Sequence, residues 1–228
     1  MYRDLFPHLK DTPLITSDGM GASSYDLFNA IGIPTEQVIR LPDYHFIECE
    51  RLFVPTILAG LSAELDNFFY PPEPAHWLRD RLTVACCEED AENPPTPTRK
   101  VYISRKSAKQ RVTGNEDEII ELVGSAGYEI IDPSDYSICE QVNIARETKQ
   151  FISLAGSQTN LVNFAQSGAR FCELKIKEYM ERRILGYLRV FPLLGIEHIQ
   201  VFYKELDDED YTIDVGKLAV ALQKFDFL

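Results

Sequence analysis

A chain of 228 residues with 45% hydrophobic and 26% charged residues has enough apolar surface for one sizeable core or two small ones, which excludes disordered and fibrous classes. Its formal net charge of -13 and pI near 4.8 exclude a general nucleic-acid binder, because such a protein needs a basic surface to displace counterions from phosphates. No apolar run approaches the roughly 20 residues of a membrane helix, and the start MYRDLFPHLKD has no signal-peptide core, so no transmembrane or targeting segment is expected.

Cys49, Cys86, Cys87, Cys139 and Cys172 are odd in number and contain no CxxC pair, so they are expected to be reduced core thiols of a cytoplasmic protein. His8, His45, His76 and His198 are too dispersed to suggest a metal site, and no cofactor is expected.

From Pro13 to Pro55 short strands alternate with one helix. PLITS reads as a strand; YDLFNAIG reads as a helix capped by Ser23 or Ser24 and ended by Gly32; QVIRL, HFIEC and RLFVP read as further brief strands. Pro74 fits the first turn of a short helix carrying Trp77, Leu78 and Leu82, with Trp77 more a core residue than a ligand platform. EEDAENPPTPTR is acidic and proline-rich and reads as a linker. The expected organisation is therefore an abbreviated N-terminal α/β domain (1–87), a linker (88–99) and a larger domain (100–228).

After the linker the pattern becomes regular. KVYIS, YEIID, QFISLAG and ARFCEL read as strands, separated by helices over NEDEIIELVGSAG, SICEQVNIARET and SQTNLVNFAQSG; Ser137 and Glu140 form a capping-box signature. A helix over KEYMERRILGYLRVF, a strand over HIQVFYK, an acidic loop LDDEDYTID and a closing helix VGKLAVALQKF complete the chain. Strands separated by helices of this length imply right-handed crossovers and a parallel sheet covered on both faces. Neither a dinucleotide fingerprint nor a P-loop motif is present.

Ligands of such sheets bind beyond the carboxyl ends of the strands. KVYIS ends at Ser104 and runs into Arg105, and QFISLAG runs into GSQTN, so these two ends are the expected walls of one site. Lys100, Arg105, Lys106, Lys109 and Arg111 are the densest positive cluster in an acidic chain, and the Arg105 and Arg111 forks suit a diphosphate. The turn Gly156–Asn160 offers backbone N–H groups and the hydroxyls of Ser157 and Thr159; it reads equally as plain helix capping. Glu116 and Glu173 are candidates for sugar or ribose hydroxyls, and a buried Glu173 would need a partner.

Taken together, Ser104, Arg105, Arg111, Asn115, Glu116, Gly127, Glu140, Gln141, the turn Gly156–Asn160, Glu173 and Leu174 resemble the glycosyltransferase family 61 catalytic region in order and spacing. TIDVGKLAVALQKF is similar to that family's terminal helix. The resemblance implies a GT-B-like fold in which a Rossmann-like C-terminal domain binds a nucleotide-sugar, with the smaller N-terminal α/β domain on the acceptor side. It implies an inverting glycosyltransferase that moves a sugar from a nucleotide-sugar donor, UDP-linked, to a glycan or polysaccharide hydroxyl, as in capsular polysaccharide synthesis. Carried over residue by residue, Arg105 and Arg111 would face the diphosphate and dispense with a metal, while Asn115, Glu116, Gln141, Ser157, Thr159, Asn160 and Glu173 would shape the nucleoside and sugar pocket. Ala155 stands where the family usually has a histidine, and the chain starts almost on RDLFPHL, which implies an abbreviated or truncated first domain. Asp18, Asp43 and His45 are the candidates for the general base, with nothing to choose among them. The alternative is a non-catalytic or degenerate nucleotide-sugar-binding or interaction protein.

Overall fold

The computed structural model describes residues 2–20, 22–54, 60–62, 67–69, 72–87, 93–107, 113–176, 190–203 and 212–228. A short helix α1 (Tyr2–Leu5) precedes a small crossover unit of β1 (Leu14–Ser17), α2 (Ala22–Ala30) and β2 (Val38–Leu41). The two strands are parallel, in register from Leu14↔Val38 to Ser17↔Leu41. Gly32 follows α2 with φ of 84°, the left-handed conformation expected of a glycine at a helix end.

Strands expected over HFIEC and RLFVP do not form between residues 45 and 54. After β2 the chain turns, with the His45 N–H donating to Pro42 O at 3.2 Å, and Tyr44 adopts φ of 63°. A β-prone run becomes a strand only where a neighbouring edge satisfies its backbone, and β2 has already ended. Tyr44 and Phe46 therefore stand in solvent.

An antiparallel pair, β3 (Gly60–Ser62) and β4 (Asn67–Phe69), leads to α3 (Pro72–Cys86). Pro72 and Pro74 occupy the first turn of α3, where no intrahelical N–H is lost. Leu82 is fully buried. Trp77 is half-buried, and its Nε1 donates to Asp4 Oδ2 at 2.9 Å, fastening α1 to α3. Of the expected linker, residues 88–92 lie outside the described residues; Pro95 O accepts the Gln166 amide at 2.6 Å.

The remainder builds the main sheet from β5 (Arg99–Ile103), β6 (Glu129–Ile131), β7 (Thr148–Leu154), β8 (Arg170–Ile176) and β9 (Glu197–Tyr203), with α4 (Glu116–Ser125), α5 (Ile138–Glu147) and α6 (Val215–Lys224). All five strands are parallel, in the order β6-β5-β7-β8-β9. Successive side chains of a strand point to opposite faces, so each strand divides its apolar residues between two cores. Val101, Ile103, Phe151 and Phe171 face one side, where Leu82, Val142, Ala145, Leu161 and Phe191 cover them. Tyr102, Ile152, Leu154, Cys172 and Leu174 face the other, against Ile119 and Val123 of α4 and Leu218 and Leu222 of α6. Each fully buried side chain of this size contributes about 1.5–3 kcal/mol. Leu27, Ala30 and Ile31, from α2 and its end, and Leu78 of α3 pack on the first of these cores, so the N-terminal helices share it. A parallel sheet with helices on both faces is the Rossmann-like architecture expected.

The capping box forms as read: Ser137 Oγ accepts the Glu140 N–H at 3.3 Å and the Ser137 N–H donates to Glu140 Oε2 at 2.8 Å. The expected helix over SQTNLVNFAQSG forms as a 3-10 helix, Ser157–Phe164, because Thr159 N–H and Oγ1 both donate to Gly156 O, at 3.1 and 2.7 Å, and close its first turn over three residues. The helix expected at residues 177–191 and the acidic loop lie mostly outside the described residues.

The cysteine reading is corrected. Cys86, at the end of α3, and Cys139, in the first turn of α5, form a disulfide with a Cα–Cα distance of 4.9 Å. The two are 53 residues apart and meet only because α3 packs beside α5, so no sequence spacing reveals them. Cys87 and Cys172 are buried thiols, and Cys49 is an exposed one. With the disulfide present, reduced cysteines no longer support a cytoplasmic location. Among the described residues no helix is long and apolar enough to cross a membrane.

Candidate active site

The strand order places the site. β5 and β7 are neighbours, yet the chain leaves β5 for α4 on one face and leaves β7 for the Ser157–Phe164 helix on the other. The two loops diverge at the carboxyl ends of these strands, so the crevice expected of open parallel sheets falls here, at their topological switch point. Ser104 and Arg105 lie on one side of it and Ala155–Thr159 on the other.

Arg105 is buried and spans the crevice. Its backbone N–H donates to Glu116 Oε1 at 2.8 Å; its Nη1 reaches across to Ala155 O at 3.2 Å and Gln158 Oε1 at 2.5 Å. The guanidinium lies directly on Gly156, where any Cβ would overlap Nη1. A side chain at this position would displace the guanidinium, and the close approach alone favours glycine, since its φ of 167° is extended backbone.

Glu116 organises the β5 side. Oε1 also accepts from Ser104 Oγ at 3.0 Å and Tyr102 OH at 3.2 Å, whereas Oε2 is buried with no hydrogen-bond partner among the described residues. Burial first, then the charge and hydrogen bond of Glu116, push the Tyr102 phenol well above its ordinary pKa, so it remains a donor. Lys106 forms an ion pair with Asp117. Burial raises the Asp132 carboxyl, but hydrogen bonds from Ser107 and Ser134 outweigh it and hold the group below its ordinary range, joining the β5 loop to that after β6.

The two helix starts at the crevice differ in sign. α4 carries Glu116, Asp117 and Glu118 in its first turn, whereas the Ser157–Phe164 helix carries no acid there and has no side-chain cap at Gly156. A helix N-terminus attracts anions, and three carboxylates cancel that attraction. An anionic group is therefore favoured beside Ser157 and Arg105, away from α4.

The other expected site residues are distributed as follows. Ser157 and Asn160 are exposed on the turn; Thr159 is fully buried and points back to Gly156 O. Asn115 holds Ile213 like a ladder partner, donating to its carbonyl at 2.8 Å and accepting its N–H at 2.9 Å, which ties the start of α4 to the approach to α6. The Gln141 amide donates to Pro133 O at 2.9 Å and Tyr136 O at 3.0 Å and so shapes the loop after β6. Arg111 lies outside the described residues. Asp18 and Asp43 follow the carboxyl ends of β1 and β2, where the Asp18 N–H donates to Leu41 O at 3.0 Å; His45 Nδ1 lies 3.1 Å from Asp43 O. Among the described residues no three His, Cys, Asp or Glu side chains converge as metal ligands.

Glu173 sits within β8, level with Ser153 of β7, and heads a separate cluster. Its Oε2 accepts from Lys175 Nζ, His198 Nε2 and Gln200 Nε2, each at 3.0 Å. The side chains of Glu173, Lys175 and His198 are 2%, 8% and 1% exposed, so the partner that a buried carboxylate requires is supplied threefold. Burial raises the Glu173 pKa, but the His198 hydrogen bond and the Lys175 charge outweigh it and hold the group below 4.5. The His198 ring stacks on Phe171 at 5.1 Å and meets Phe191 edge-on at 5.0 Å.

Gln158, Lys175, His198 and Gln200 were not singled out in the sequence. Gln158 lies in the turn that was, and its position four residues past the end of β7 was the available signal. The partners of Glu173 come from strand register, which composition does not carry.

No curated protein matches the chain. The family model described as Glycosyltransferase 61 matches residues 3–172, which takes in the β1–β2 unit, α3, the switch-point crevice and β8 as far as Cys172. The chain belongs to the glycosyltransferase 61 family.

Proposed function

We propose that the chain is an inverting glycosyltransferase that carries a sugar from a UDP-linked donor to a hydroxyl of a glycan or polysaccharide. In this reading residues 1–87 form the acceptor side of a GT-B-like pair, 88–99 the linker and 100–228 the donor side. The observation that carries it is Arg105, held over Gly156 at the switch point beside an acid-free helix start. The donor diphosphate lies against Arg105, the backbone at Ser157 and Arg111, and Asn160 borders the pocket. Asn115, Glu116, Gln141 and Thr159 shape its walls through the contacts described, whereas Glu173 is closed within its own cluster on β8 and β9.

In the transfer a base removes the acceptor hydroxyl proton, the oxygen attacks the anomeric carbon opposite the diphosphate, and the bond to the diphosphate breaks. The charge released on UDP is met by Arg105, a fixed donor of the kind worth roughly 100- to 1000-fold in rate. The base is drawn from Asp18, Asp43 and His45.

A second reading, favoured by Ala155 standing where the family usually has a histidine, is a non-catalytic nucleotide-sugar-binding module. Calorimetric titration with UDP and UDP-sugars, joined to a transfer assay that reports the product anomer, decides between them. Saturable binding that Arg105→Ala weakens at least about tenfold is expected. Binding without transfer leaves the module; no binding by the wild type defeats both.

A further inference from the structure

The guanidinium of Arg105 is directed from the far side of the crevice. Glu116, on its own side, accepts from the Arg105 backbone N–H. The Nη1 bonds to Ala155 O and Gln158 Oε1 come from the turn after β7. Gln158 is in turn anchored at its other end, where Nε2 donates to Leu154 O at 2.8 Å and lies 3.3 Å from Ser153 Oγ. A carbonyl only accepts, so Leu154 O fixes the amide nitrogen inward and the amide oxygen toward Arg105. Both ends of the side chain agree on one orientation.

We infer that Gln158 is the positioning residue that aims Arg105 into the crevice, with Gly156 as the seat on which the guanidinium rests. The role suits an amide. A carboxylate at this distance would hold the fork as firmly but neutralise it, whereas a neutral oxygen directs the fork without cancelling its charge. The turn also couples the arginine to the sheet: Leu154 and Ser153 belong to β7, so Arg105 is referenced to the central strand pair through Gln158. Gly156 makes the arrangement exclusive, because a side chain there would occupy the volume of the guanidinium and press on Gln158 Oε1.

The inference rests on the donor-site reading for its functional consequence, and the test separates the two. UDP affinity is measured by calorimetry on the full chain for the wild type, Gln158→Met, Gly156→Ala, Arg105→Ala and the double variant Gln158→Met/Arg105→Ala. Arg105 modification by phenylglyoxal is followed by peptide mapping on the unliganded proteins, and thermal unfolding reports folding. Gln158→Met and Gly156→Ala are each expected to weaken UDP binding about tenfold, and the double variant to bind no more weakly than Arg105→Ala, since residues acting through one group are not additive. Arg105 is expected to react at least about fivefold faster in both single variants as its contacts are lost. Affinity within twofold and unchanged Arg105 protection overturns the inference, as does a Gln158→Met loss that adds fully to Arg105→Ala. Should the wild type bind no UDP, the donor-site reading falls, while phenylglyoxal protection still decides whether Gln158 holds Arg105. Should Gly156→Ala fail to fold, Gln158→Met decides alone.

Discussion

Two polar clusters belong to the main sheet, one between β5 and β7 and one on β8 and β9, and they handle charge in opposite ways. At the crevice Arg105 meets the neutral oxygens of Ala155 and Gln158, contributed by a turn outside the strands. On β8 and β9 the Lys175 ammonium and the His198 ring meet a carboxylate, all three side chains at most 8% exposed and all within strands. In the proposed donor site the first arrangement directs a cation toward a cleft. The second closes on itself and fastens the edge strand β9 to β8. A charged residue in a parallel sheet is therefore read by its partner as much as by its place.

If that contrast holds, removing Glu173 damages the fold and removing Arg105 damages the chemistry. Glu173→Ala leaves Lys175 and His198 buried without their acceptor and is expected to lower unfolding free energy by about 3–5 kcal/mol, measured by urea denaturation. The same group gives a pH signature. Its folded pKa is depressed, so its stabilisation is complete above the ordinary value of 4.5 and is lost as pH falls from there through the lowered folded value. Wild type is expected to lose stability in that window more steeply than Glu173→Ala; parallel profiles would dissolve the distinction. Arg105→Ala is expected to cost about 3–4 kcal/mol in transition-state stabilisation, seen as a 100- to 1000-fold fall in kcat/KM, with Arg105→Lys recovering only part because the fork is lost.

Among the described residues, the order of strands and helices after residue 98 was legible because period two and period 3.6 alternate there with clear caps at Ser137 and Gly127. The placement of Arg105 and Gly156 beyond the ends of neighbouring strands was legible for the same reason, since each follows an apolar run. Gln158 was not, because its role exists only once β5 and β7 are neighbours. The need of Glu173 for a partner could be read from its apolar strand, but Lys175, His198 and Gln200 became its partners through the face alternation of β8 and the β8–β9 register. Residues 45–54 show the reverse error: β-propensity with no adjacent edge gave an exposed segment outside any strand.

The disulfide adds a covalent term to the boundary between the N-terminal helices and the sheet. Closing a loop of this length is worth roughly 2–4 kcal/mol through the unfolded state. Cys139→Ser, or reduction of the wild type, is expected to lower stability by that amount while leaving UDP affinity within about twofold, because the bridge joins α3 to α5 and includes no residue of either crevice wall. A large loss of UDP affinity on reduction would show instead that the packing of α3 and α5 sets the crevice.

The smallest effect tests the crevice itself at Asn115, which stands next to Glu116 and yet directs its amide away. Its two bonds to Ile213 imitate a backbone pair and hold the segment before α6 against the start of α4. Each such bond is worth about 1 kcal/mol net, so Asn115→Ala is expected to reduce stability by about 1–2 kcal/mol. Asn115→Asp keeps the acceptor for the Ile213 N–H and places an oxygen against the Ile213 carbonyl, so it should be no better than alanine despite its size. In both variants UDP affinity should stay within about twofold of wild type, measured at a temperature where each is fully folded. If affinity falls instead while stability holds, Asn115 turns toward the ligand when it binds, and the line between wall and binding group runs one residue earlier than Glu116.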